Sequence, residues 1–240
     1  RYIYAILYKL IRPEVFIMEF SSFLNELNTL CPEMKVSVSE SMAAHTSFRI
    51  GGPAAVMVFP QDPQQLAEVL KLTNEKHIPV RILGAGTNVL APDEGMEEVV
   101  ICLKDSMDGV ELLEGNRIRV AAGVTMARAA VFAANKGLAG MEFAHGIPGS
   151  LGGAVVMDAG AYDGEMRQVV RSVRALNQRC DVEELTAEQC EFGYRHSVFS
   201  DGSRLVLSAV MELQPGDEAA IRGRMAELME KRKSKQLVRD

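Results

Sequence analysis

An arginine that follows a tyrosine, in the segment Phe192-Gly193-Tyr194-Arg195-His196-Ser197, could act on a small anion. A guanidinium presents several N–H donors in one plane, so it can hold a carboxylate through two hydrogen bonds and stabilise negative charge. Arg195 is therefore a candidate anion-binding residue, with Tyr194 beside it. The same dipeptide at a strand edge would form an ordinary surface ion pair, and the segment alone leaves both interpretations open.

A glycine loop, Gly84-Ala85-Gly86-Thr87-Asn88, follows an apolar run and could bind a phosphate. Glycines permit positive φ angles, which lets backbone N–H groups point at one anion. A dinucleotide-binding fingerprint would require Gly or Ala at position 89 and a helix after it. That position is Val89, and Leu90-Ala91-Pro92 breaks a helix, so a Rossmann site is excluded. A non-helical phosphate site with Thr and Asn donors remains, and a plain turn is the alternative.

A second glycine-rich stretch is Gly146-Ile147-Pro148-Gly149-Ser150-Leu151-Gly152-Gly153-Ala154, which continues into Met157-Asp158-Ala159-Gly160-Ala161-Tyr162. Glycine loses more conformational freedom on folding than any other residue, so this stretch is costly to order. Such a stretch is typical of a backbone that something approaches closely. Either a ligand or a packed helix would explain it.

The histidines and cysteines do not predict a metal site. His45, His77, His145 and His196 lack metal-ligand spacing, and each is expected to form local hydrogen bonds instead. The four cysteines form no CxxC pair, and Cys102 lies in an apolar run where a buried thiol is expected. Unpaired cysteines indicate a reducing cytoplasm.

The elements that would position these residues alternate between strand and helix in the first half of the chain. A polar segment, Thr46–Pro53, is a fourth candidate and leads into the first of these strands. Asp62-Pro63 predicts a helix start, with Asp as the N-cap and Pro at the first helical position. The predicted order is strand 54–59, helix from 62, strand 79–83, loop 84–88 and strand 98–103.

The second half is predicted to contain a hairpin, further strands and two longer helices. Glu114-Gly115-Asn116 between two apolar stretches indicates a hairpin, and Thr186 to Gln189 has a capping-box pattern. The predicted elements are strands 110–113 and 117–121, a helix from Thr125 to Lys136 that Gly137 ends, strands 169–177 and 204–213, and a helix from 216 with Ile221, Met225, Leu228 and Met229 on one face.

Composition narrows the class of protein. The chain has 240 residues, 48% of them hydrophobic and 24% charged, which is typical of a globular protein of one or two domains. A net charge of −6 argues against general nucleic-acid binding. Near the N-terminus, Tyr2–Tyr8 is too short for the ~20 residues of a membrane-spanning helix, and no signal-peptide cleavage site follows. We expect Met18 to be the natural start, with residues 1–17 as upstream translation.

Four segments, in this order and spacing, resemble the UDP-N-acetylenolpyruvoylglucosamine reductase family, flavoenzymes of bacterial cell-wall synthesis. They are TSFRIGGPA (46–54), ILGAGTNVL (82–90), GLAGMEFAHGIPGSLGGAVVMDAGAY (137–162) and FGYRHSVF (192–199). The resemblance covers about Met18 to Gln236. It implies an α+β, two-subdomain FAD-binding fold of the vanillyl-alcohol-oxidase (PCMH) type, in which the subdomains hold FAD between them and a C-terminal domain covers the substrate.

The resemblance implies a domain order and a set of cofactor-binding residues. We expect an N-terminal extension and lead-in helix in 1–34, FAD-binding subdomains in 35–104 and 105–213, and in 214–240 a helix leading into a truncated substrate domain. The residues expected to bind FAD are Arg49, Gly84, Ala85, Gly86, Thr87, Asn88, Gly146, Ile147, Pro148, Gly149, Ser150, Gly153 and Ala154, and no metal is expected.

The resemblance also implies a reaction. NADPH, by way of FAD, would reduce the enolpyruvyl ether of UDP-N-acetylglucosamine enolpyruvate to the lactyl ether of UDP-N-acetylmuramate for peptidoglycan biosynthesis. A fixed arginine suits this chemistry because an enolate conjugated with a carboxylate concentrates negative charge. Arg195 matches the catalytic arginine of the family, Tyr194 matches a neighbour at the substrate, and Lys235 resembles a lysine that contacts the substrate.

Two departures from the family pattern stand out. Asp158 occupies a position that is usually Asn in the family. The chain also stops at Asp240, and neither the family's proton-donating Ser nor its C-terminal Glu has a counterpart here. We therefore expect FAD binding but much reduced turnover, because losing a general acid costs about 10²–10⁴-fold.

Two other functions stay open at this point. One is a flavin-dependent sugar or lactone oxidase of the same superfamily, although no histidine stands out in an attachment motif for covalent flavin. The other is a non-catalytic remnant that binds flavin at most. In each case we expect a small-molecule ligand, a cytoplasmic location, no nucleic-acid or membrane partner, and a monomer in preference to an oligomer.

Overall fold

The structure, a computed structural model, describes residues 13–104 and 106–235, and for 13–19 it describes the backbone alone. The predictions about residues 1–12 and about 236–240 lie outside the described residues. The chain divides into two compact units, one ending at Ser106 and the other beginning at Met107. They are called unit 1 and unit 2 below.

Unit 1 is built on a four-stranded sheet with strand order β1-β2-β4-β3. The β1 and β2 strands are antiparallel, whereas β4 runs parallel to both β2 and β3. The predicted strand-helix-strand order is confirmed, and β1 is an additional strand. The elements are α1 (Pro13–Leu30), β1 (Lys35–Ser41), β2 (Pro53–Phe59), α2 (Pro63–Glu75), β3 (Val80–Leu83) and β4 (Met96–Cys102).

The α2 helix begins where the sequence predicts. The Asp62 carboxylate accepts a hydrogen bond from the Gln65 backbone N–H at 2.8 Å, and Pro63 is the first helical residue. This cap satisfies one of the backbone N–H groups that a helix start leaves without an intrahelical partner. The strands β2 and β4 are buried in their second halves, and Cys102 is a buried thiol as predicted.

Unit 2 is built on a five-stranded antiparallel sheet with strand order β11-β10-β12-β6-β5. The predicted hairpin pairs β5 with β6, and the last long strand, β12, lies between β6 and β10. The elements are β5 (Val110–Leu113), β6 (Arg117–Ala121), α3 (Met126–Asn135), β7 (Leu138–Ala139), α4 (Leu151–Val156), β8 (Gly160–Ala161), β9 (Gly164–Glu165), α5 (Met166–Val169), β10 (Val170–Leu176), β11 (Val182–Thr186), β12 (Leu205–Glu212), β13 (Gln214–Pro215) and α6 (Glu218–Lys235).

The two longer helices of unit 2 begin near the predicted positions, and each start is capped by a side chain. The Thr125 hydroxyl accepts from the Arg128 N–H at the start of α3, and the Asp217 carboxylate accepts from the Ala220 N–H at the start of α6. Gly137, with φ of +62°, follows the end of α3. The α6 helix buries the face that carries Ile221, Met225 and Leu228, as the sequence predicts.

Two local structures differ from what the sequence suggests. The reciprocal capping-box hydrogen bonds between Thr186 and Gln189 do form, but they close a turn and no helix follows. The glycine-rich stretch, for which the sequence predicts no element, contains the α4 helix and the β8-β9 hairpin. Both elements are shorter than the windows over which periodicity can be recognised.

No helix among the described residues is long and apolar enough to cross a bilayer.

Candidate functional site

The glycine loop (Gly84–Asn88) of unit 1 directly follows β3 and presents free backbone donors. Within the described part of the chain, the N–H groups of Gly84, Ala85, Gly86 and Asn88 form no hydrogen bond. Successive N–H groups without protein acceptors form a concave site that suits an anion. These donors are what a phosphate site would need, and the phosphate site stays a prediction.

The packing of unit 1 requires a glycine at position 86, whether or not a ligand binds. Its φ is +65°, and a Cβ atom at this position would lie 1.9 Å from the carbonyl oxygen of His45. The Gly86 carbonyl in turn accepts a hydrogen bond from the Ser47 N–H at 3.0 Å. The loop is thus fixed against the segment that precedes the Arg49 turn (Thr46–Ile50).

The Arg49 turn presents its side chains to solvent. Thr46 is buried, and its hydroxyl donates to the carbonyl of Ile50 at 3.0 Å, which closes the turn. Arg49 has a φ of +55°, a left-handed conformation that is uncommon for a residue with a side chain. Phe48 is 62% exposed and Arg49 is exposed as well. The turn is therefore available to a ligand rather than part of the core.

In unit 2, the glycine-rich segment (Gly146–Ala154) lies antiparallel to residues 124–126. The Met126 N–H donates to Gly149, and the Leu151 N–H donates to Val124 at 2.8 Å. A Cβ atom on Gly152 would lie 3.1 Å from the Cβ of Ala122, so this glycine allows the helix to pack on the sheet. Packing of the helix, one of the two explanations that the sequence leaves open, therefore applies to Gly152.

Other positions of the same segment are open. Gly153 is exposed, and a Cβ atom there would meet only the Ser150 hydroxyl, at 3.9 Å. The N–H groups of Gly146, Gly149 and Ser150 form no hydrogen bond to a described residue. These groups form a second set of free donors beside an uncovered backbone, which suits the close approach of a flat ligand.

His145 precedes this segment, and its environment differs from the prediction. Its Nδ1 atom is buried and has no hydrogen-bond partner among the described residues. The expected local hydrogen bond is therefore absent at that atom. By contrast, the Nε2 atom of His45 lies 2.8 Å from a Glu40 carboxylate oxygen, as expected for a local partner.

Tyr194 and Arg195 lie at the tip of a tight turn. Gly193 and His196 exchange two backbone hydrogen bonds of 2.9 and 3.0 Å, so the two residues between them project outwards. Tyr194 is 88% exposed, and Arg195 has a φ of +54°. The Arg195 guanidinium carbon lies 5.6 Å from the centre of the Tyr194 ring, which orients the two side chains together.

A second tight turn, the Tyr162 hairpin (Gly160–Glu165), joins β8 to β9. Its two central residues, Tyr162 and Asp163, have φ values of +53° and +66°. Positive φ at both central residues is the property of a type I′ hairpin turn. Gly164 lies against the Phe143 ring, which a Cβ atom would approach to 2.5 Å.

These two turns line one cavity of about 220 Å³ within unit 2. The cavity brings the predicted residues Tyr194 and Arg195 together with side chains that the sequence did not single out as a site. The lining residues are Asp158, Gly160, Ala161, Tyr162, Asp163, Gly164, Glu165, Tyr194 and Arg195. An exposed guanidinium at a cavity of this size suits the binding of a carboxylate or a phosphate.

Asp158 is a buried residue with an ionisable carboxyl group, and it lines this cavity. It is 3% exposed, and its Oδ1 atom accepts from the Arg167 backbone N–H at 2.9 Å. Its Oδ2 atom is buried without a hydrogen bond, with the Arg167 Nε atom 3.6 Å away. Burial raises the pKa of the Asp158 carboxyl above its usual value, although the Arg167 N–H and the charges of Arg167 and Arg195 oppose this.

Lys235 and the cysteines are not part of the cavity lining. Lys235 is exposed at the end of α6, and its side chain forms no hydrogen bond or ion pair within the described residues. Burial raises the pKa of the Cys190 thiol to about 11, which makes it a poor nucleophile. No cluster of His, Cys, Asp or Glu among residues 13–104 and 106–235 could hold a metal ion.

Asp163, Glu165 and Arg167 are the functional candidates that sequence reasoning missed. The dipeptide Asp163-Gly164 is a hairpin signal that could have identified the turn. The pairing of Glu165 with Arg167, by contrast, depends on the geometry of the short β9 and α5 elements. No sequence pattern indicates that pairing.

A family profile and individual known proteins both match the chain. A family profile described as "FAD binding domain" matches residues 53–186. A UDP-N-acetylenolpyruvoylglucosamine reductase of Clostridioides difficile (strain 630) is 42% identical over 214 residues, covering 89% of this chain and 70% of the relative. A protein of the same name from Caulobacter sp. (strain K31) is 44% identical over 206 residues, covering 86% and 67%.

Solved structures also match the chain. The UDP-N-acetylenolpyruvylglucosamine reductase of Thermus caldophilus superposes with a TM-score of 0.71 and 30% identity, covering 85% of this chain and 71% of that one. A glucose dehydrogenase, Phl p 4.0202, superposes with a TM-score of 0.59 at 11% identity, covering 81% and 44%. The second likeness shows a shared fold alone. The expected α+β fold of the vanillyl-alcohol-oxidase (PCMH) type is confirmed.

We predict that Gly86→Ala destabilises unit 1. The new methyl group would overlap the His45 carbonyl, and the backbone would have to keep a positive φ. The expected loss is about 2–4 kcal/mol in the free energy of unfolding, measured by denaturant titration. The control is Gly223→Ala on α6, where a Cβ atom meets nothing within 4 Å and a gain of up to about 1 kcal/mol is expected. Equal effects of the two substitutions would contradict the assigned packing.

We also predict that Asp158→Asn stabilises the protein in a pH-dependent way. Because the pKa of Asp158 is raised in the folded state, the native protein keeps this proton at pH values where the unfolded chain has lost it. Wild-type stability therefore falls as pH rises through that interval and stays lower above it. At about pH 7 the variant should gain ~1 kcal/mol, and well below the usual Asp pKa of about 3.9 the gain should vanish.

Thermal unfolding at several pH values measures this effect. Asp163→Asn removes the same charge from an exposed position of the same cavity and should show no such trend. A gain for Asp158→Asn that is constant with pH would show that the carboxylate is not the cause.

Proposed function

The chain belongs to the UDP-N-acetylenolpyruvoylglucosamine reductase family, and from that premise we propose that it reduces the enolpyruvyl ether of UDP-N-acetylglucosamine enolpyruvate to UDP-N-acetylmuramate. The observation that carries this proposal is the 42% identity to a reductase of that name over 89% of the chain. The cavity with Tyr194 and Arg195 supplies a place for the reacting group. Such a reaction is a step of peptidoglycan synthesis.

The free backbone donors support FAD as the cofactor. The glycine loop would bind a phosphate of FAD through the N–H groups of Gly84, Ala85, Gly86 and Asn88. Arg49 is exposed in the turn whose Ser47 N–H donates to the Gly86 carbonyl, and it would provide a second contact to an anion. Residues 146–154 would lie against the cofactor, with Gly153 open on its outer side. Bound FAD supplies the two-electron hydride chemistry, which no side chain can provide.

Arg195 would bind the carboxylate of the enolpyruvyl group and stabilise the negative charge that develops beside it. Its turn conformation and its contact with the Tyr194 ring orient the guanidinium before substrate arrives. Donors that are already oriented need no reorganisation during the reaction, so they stabilise the transition state efficiently. Tyr194 is exposed at the same turn and would contact the sugar nucleotide. Lys235 would provide a further contact to the substrate, as in the family.

The remaining parts of the proposal concern the reductant and the setting. NADPH would be the hydride source, as is usual for the family. No disulfide joins the cysteines at positions 31, 102, 180 and 190, which lie among the described residues, and this suits a cytoplasmic location. We propose a monomer that acts on this small molecule.

The activity is tested without oxygen. NADPH consumption should depend on added enolpyruvyl sugar nucleotide, and mass spectrometry should find a product with two more hydrogen atoms. NADPH oxidation that requires oxygen and ignores the sugar nucleotide would instead indicate an oxidase.

We predict that Gly153→Ala weakens FAD binding without destabilising the protein. The added methyl group occupies open space in the protein, and Ala is a better helix residue than Gly by about 0.5–1 kcal/mol. If the cofactor lies over this position, the methyl group should lower FAD affinity about tenfold, since overpacking a tight contact costs ~1–3 kcal/mol. Fluorescence titration with FAD measures this, with Gly223→Ala as control. Unchanged affinity would remove Gly153 from the cofactor site.

We predict that Arg195→Gln lowers kcat by about 10²–10³-fold, the usual cost of removing a donor from a charge-stabilising site. Arg195→Lys keeps the charge but loses the two parallel N–H donors, so its kcat should lie between that of Arg195→Gln and that of the wild type. Steady-state kinetics at saturating substrate separates kcat from KM. Arg171→Gln removes an exposed arginine that pairs with Glu212 on the sheet, and it should keep the wild-type kcat. A kcat for Arg195→Gln within about threefold of wild type would exclude the proposed role.

A further inference from the structure

Asp158 occupies a position where the backbone itself restricts the choice of residue. It follows the end of α4, where the Asp158 N–H donates to Val155 and the Ala159 N–H donates to Ala154 at 2.8 Å. This is a Schellman motif, whose left-handed position favours Gly and then Asn. Asp158 has a φ of +40° there. A bare glycine would satisfy the backbone, so the presence of a carboxylate calls for a separate reason.

The carboxylate has two different oxygen atoms. One accepts a hydrogen bond from the Arg167 N–H and so joins the α4 end to the start of α5. The other, Oδ2, is buried with no hydrogen bond among the described residues. An ionised oxygen without a partner in a water-free place is costly, and its field reaches nearby charges with little screening.

The charged groups around Asp158 come from three elements. Arg167 of α5 is closest, with its Nε atom 3.6 Å from Oδ2, but this guanidinium is shared with Glu165 of β9. Arg195 lies on the Tyr194–Arg195 turn, lines the same cavity and acts electrostatically on Asp158. Asp163 also lines the cavity, and like Arg195 it is exposed, so water screens the charges of both side chains, whereas Asp158 is buried.

We propose that Asp158 is a positioning residue whose buried charge acts through Arg195 and sets the affinity of the cavity for an anionic ligand. The inference rests on the proposed function for the identity of that ligand, the carboxylate-bearing sugar nucleotide. While Asp158 is ionised, its field offsets part of the Arg195 charge and repels the incoming anion. When Asp158 binds a proton, Arg195 acts on the anion alone, so anion binding and proton uptake are linked.

The Asp158→Asn variant separates the charge from the shape. Asn keeps an oxygen to accept the Arg167 N–H, and it tolerates the left-handed backbone. At neutral pH the variant should bind the sugar nucleotide about 2- to 5-fold more tightly than wild type, because the Arg195 guanidinium is exposed and water screens part of the Asp158 charge. Wild-type affinity for the sugar nucleotide should weaken as the pH rises through the titration of Asp158. The affinity of Asp158→Asn should not change with pH in this range, whereas that of Asp163→Asn should follow the wild type.

Nuclear magnetic resonance provides a measurement that needs no substrate. The side-chain ¹⁵N resonances of Arg195, assigned with Arg195→Lys, should shift as Asp158 titrates in the wild type and in Asp163→Asn. They should not shift in Asp158→Asn. Reciprocally, Arg195→Gln should move the ¹³C titration of the Asp158 carboxyl to higher pH, because a stabilising positive charge has been removed. The Asp158 titration in Arg195→Gln therefore tests whether Asp158 and Arg195 interact, even if Asp158→Asn does not fold.

The outcomes are distinct. Tighter, pH-independent binding by Asp158→Asn together with the lost Arg195 shift supports the proposal. An Arg195 titration that persists in Asp158→Asn, or an Asp158 titration unaffected by Arg195→Gln, overturns it. Unchanged or weaker binding by Asp158→Asn overturns it as well. If neither wild type nor any variant binds the sugar nucleotide, the proposed function fails, and the resonance titrations still decide whether Asp158 acts on Arg195.

Discussion

One backbone carbonyl, that of Val156 at the end of α4, connects the parts of the unit 2 site. It accepts hydrogen bonds from the hydroxyls of Ser197 at 2.8 Å and Ser200 at 3.1 Å. Ser197 is fully buried, so its hydroxyl has little alternative to this acceptor and the bond is costly to lose. The turn that carries Arg195 is thereby fixed to the same helix end that carries Asp158. This junction fixes the backbone that carries Arg195, and the contact with the Tyr194 ring orients the guanidinium.

The glycines of the two loops serve different purposes, although the sequence shows them alike. Gly86 is required because the His45 carbonyl lies where its side chain would be, and Gly152 allows a close approach to Ala122 that a Cβ atom would make tight. Gly153 has open space, so the protein does not explain it and a ligand remains the better reason. Adjacent glycines can therefore have different roles. Gly152 allows the helix to pack on the sheet, and Gly153 leaves its backbone uncovered. Composition alone cannot separate these cases, because the neighbour responsible is distant in sequence.

The elements that the sequence predicts well are those with local signals. Asp62, Thr125 and Asp217 cap helices because a side-chain oxygen near a helix start has a nearby N–H to accept from. The short α4 helix lacks such a signal and contains two glycines. The β8-β9 hairpin has strands of two residues each, and Asp163-Gly164 is its local signal. The Asp163-Gly164 pair also misleads on register. Gly164 is displaced from the turn centre into the strand, where only glycine fits against Phe143.

The same contrast between local sequence signals and tertiary contacts applies to the residues of the candidate site. The sequence identifies Arg195 because an arginine in that motif resembles a known catalytic residue, but the partners that orient it are set by tertiary contacts. Asp158, Tyr162, Asp163 and Arg195 all have positive φ and all line one cavity. Left-handed conformations of residues with side chains persist only where the surroundings fix them, and they concentrate at functional sites. At this cavity the surroundings are a Schellman motif at Asp158 and two tight turns, each closed by backbone hydrogen bonds. A backbone that is fixed in this way holds the Arg195 turn in place before any ligand binds, which is the condition under which a single arginine can stabilise a transient negative charge.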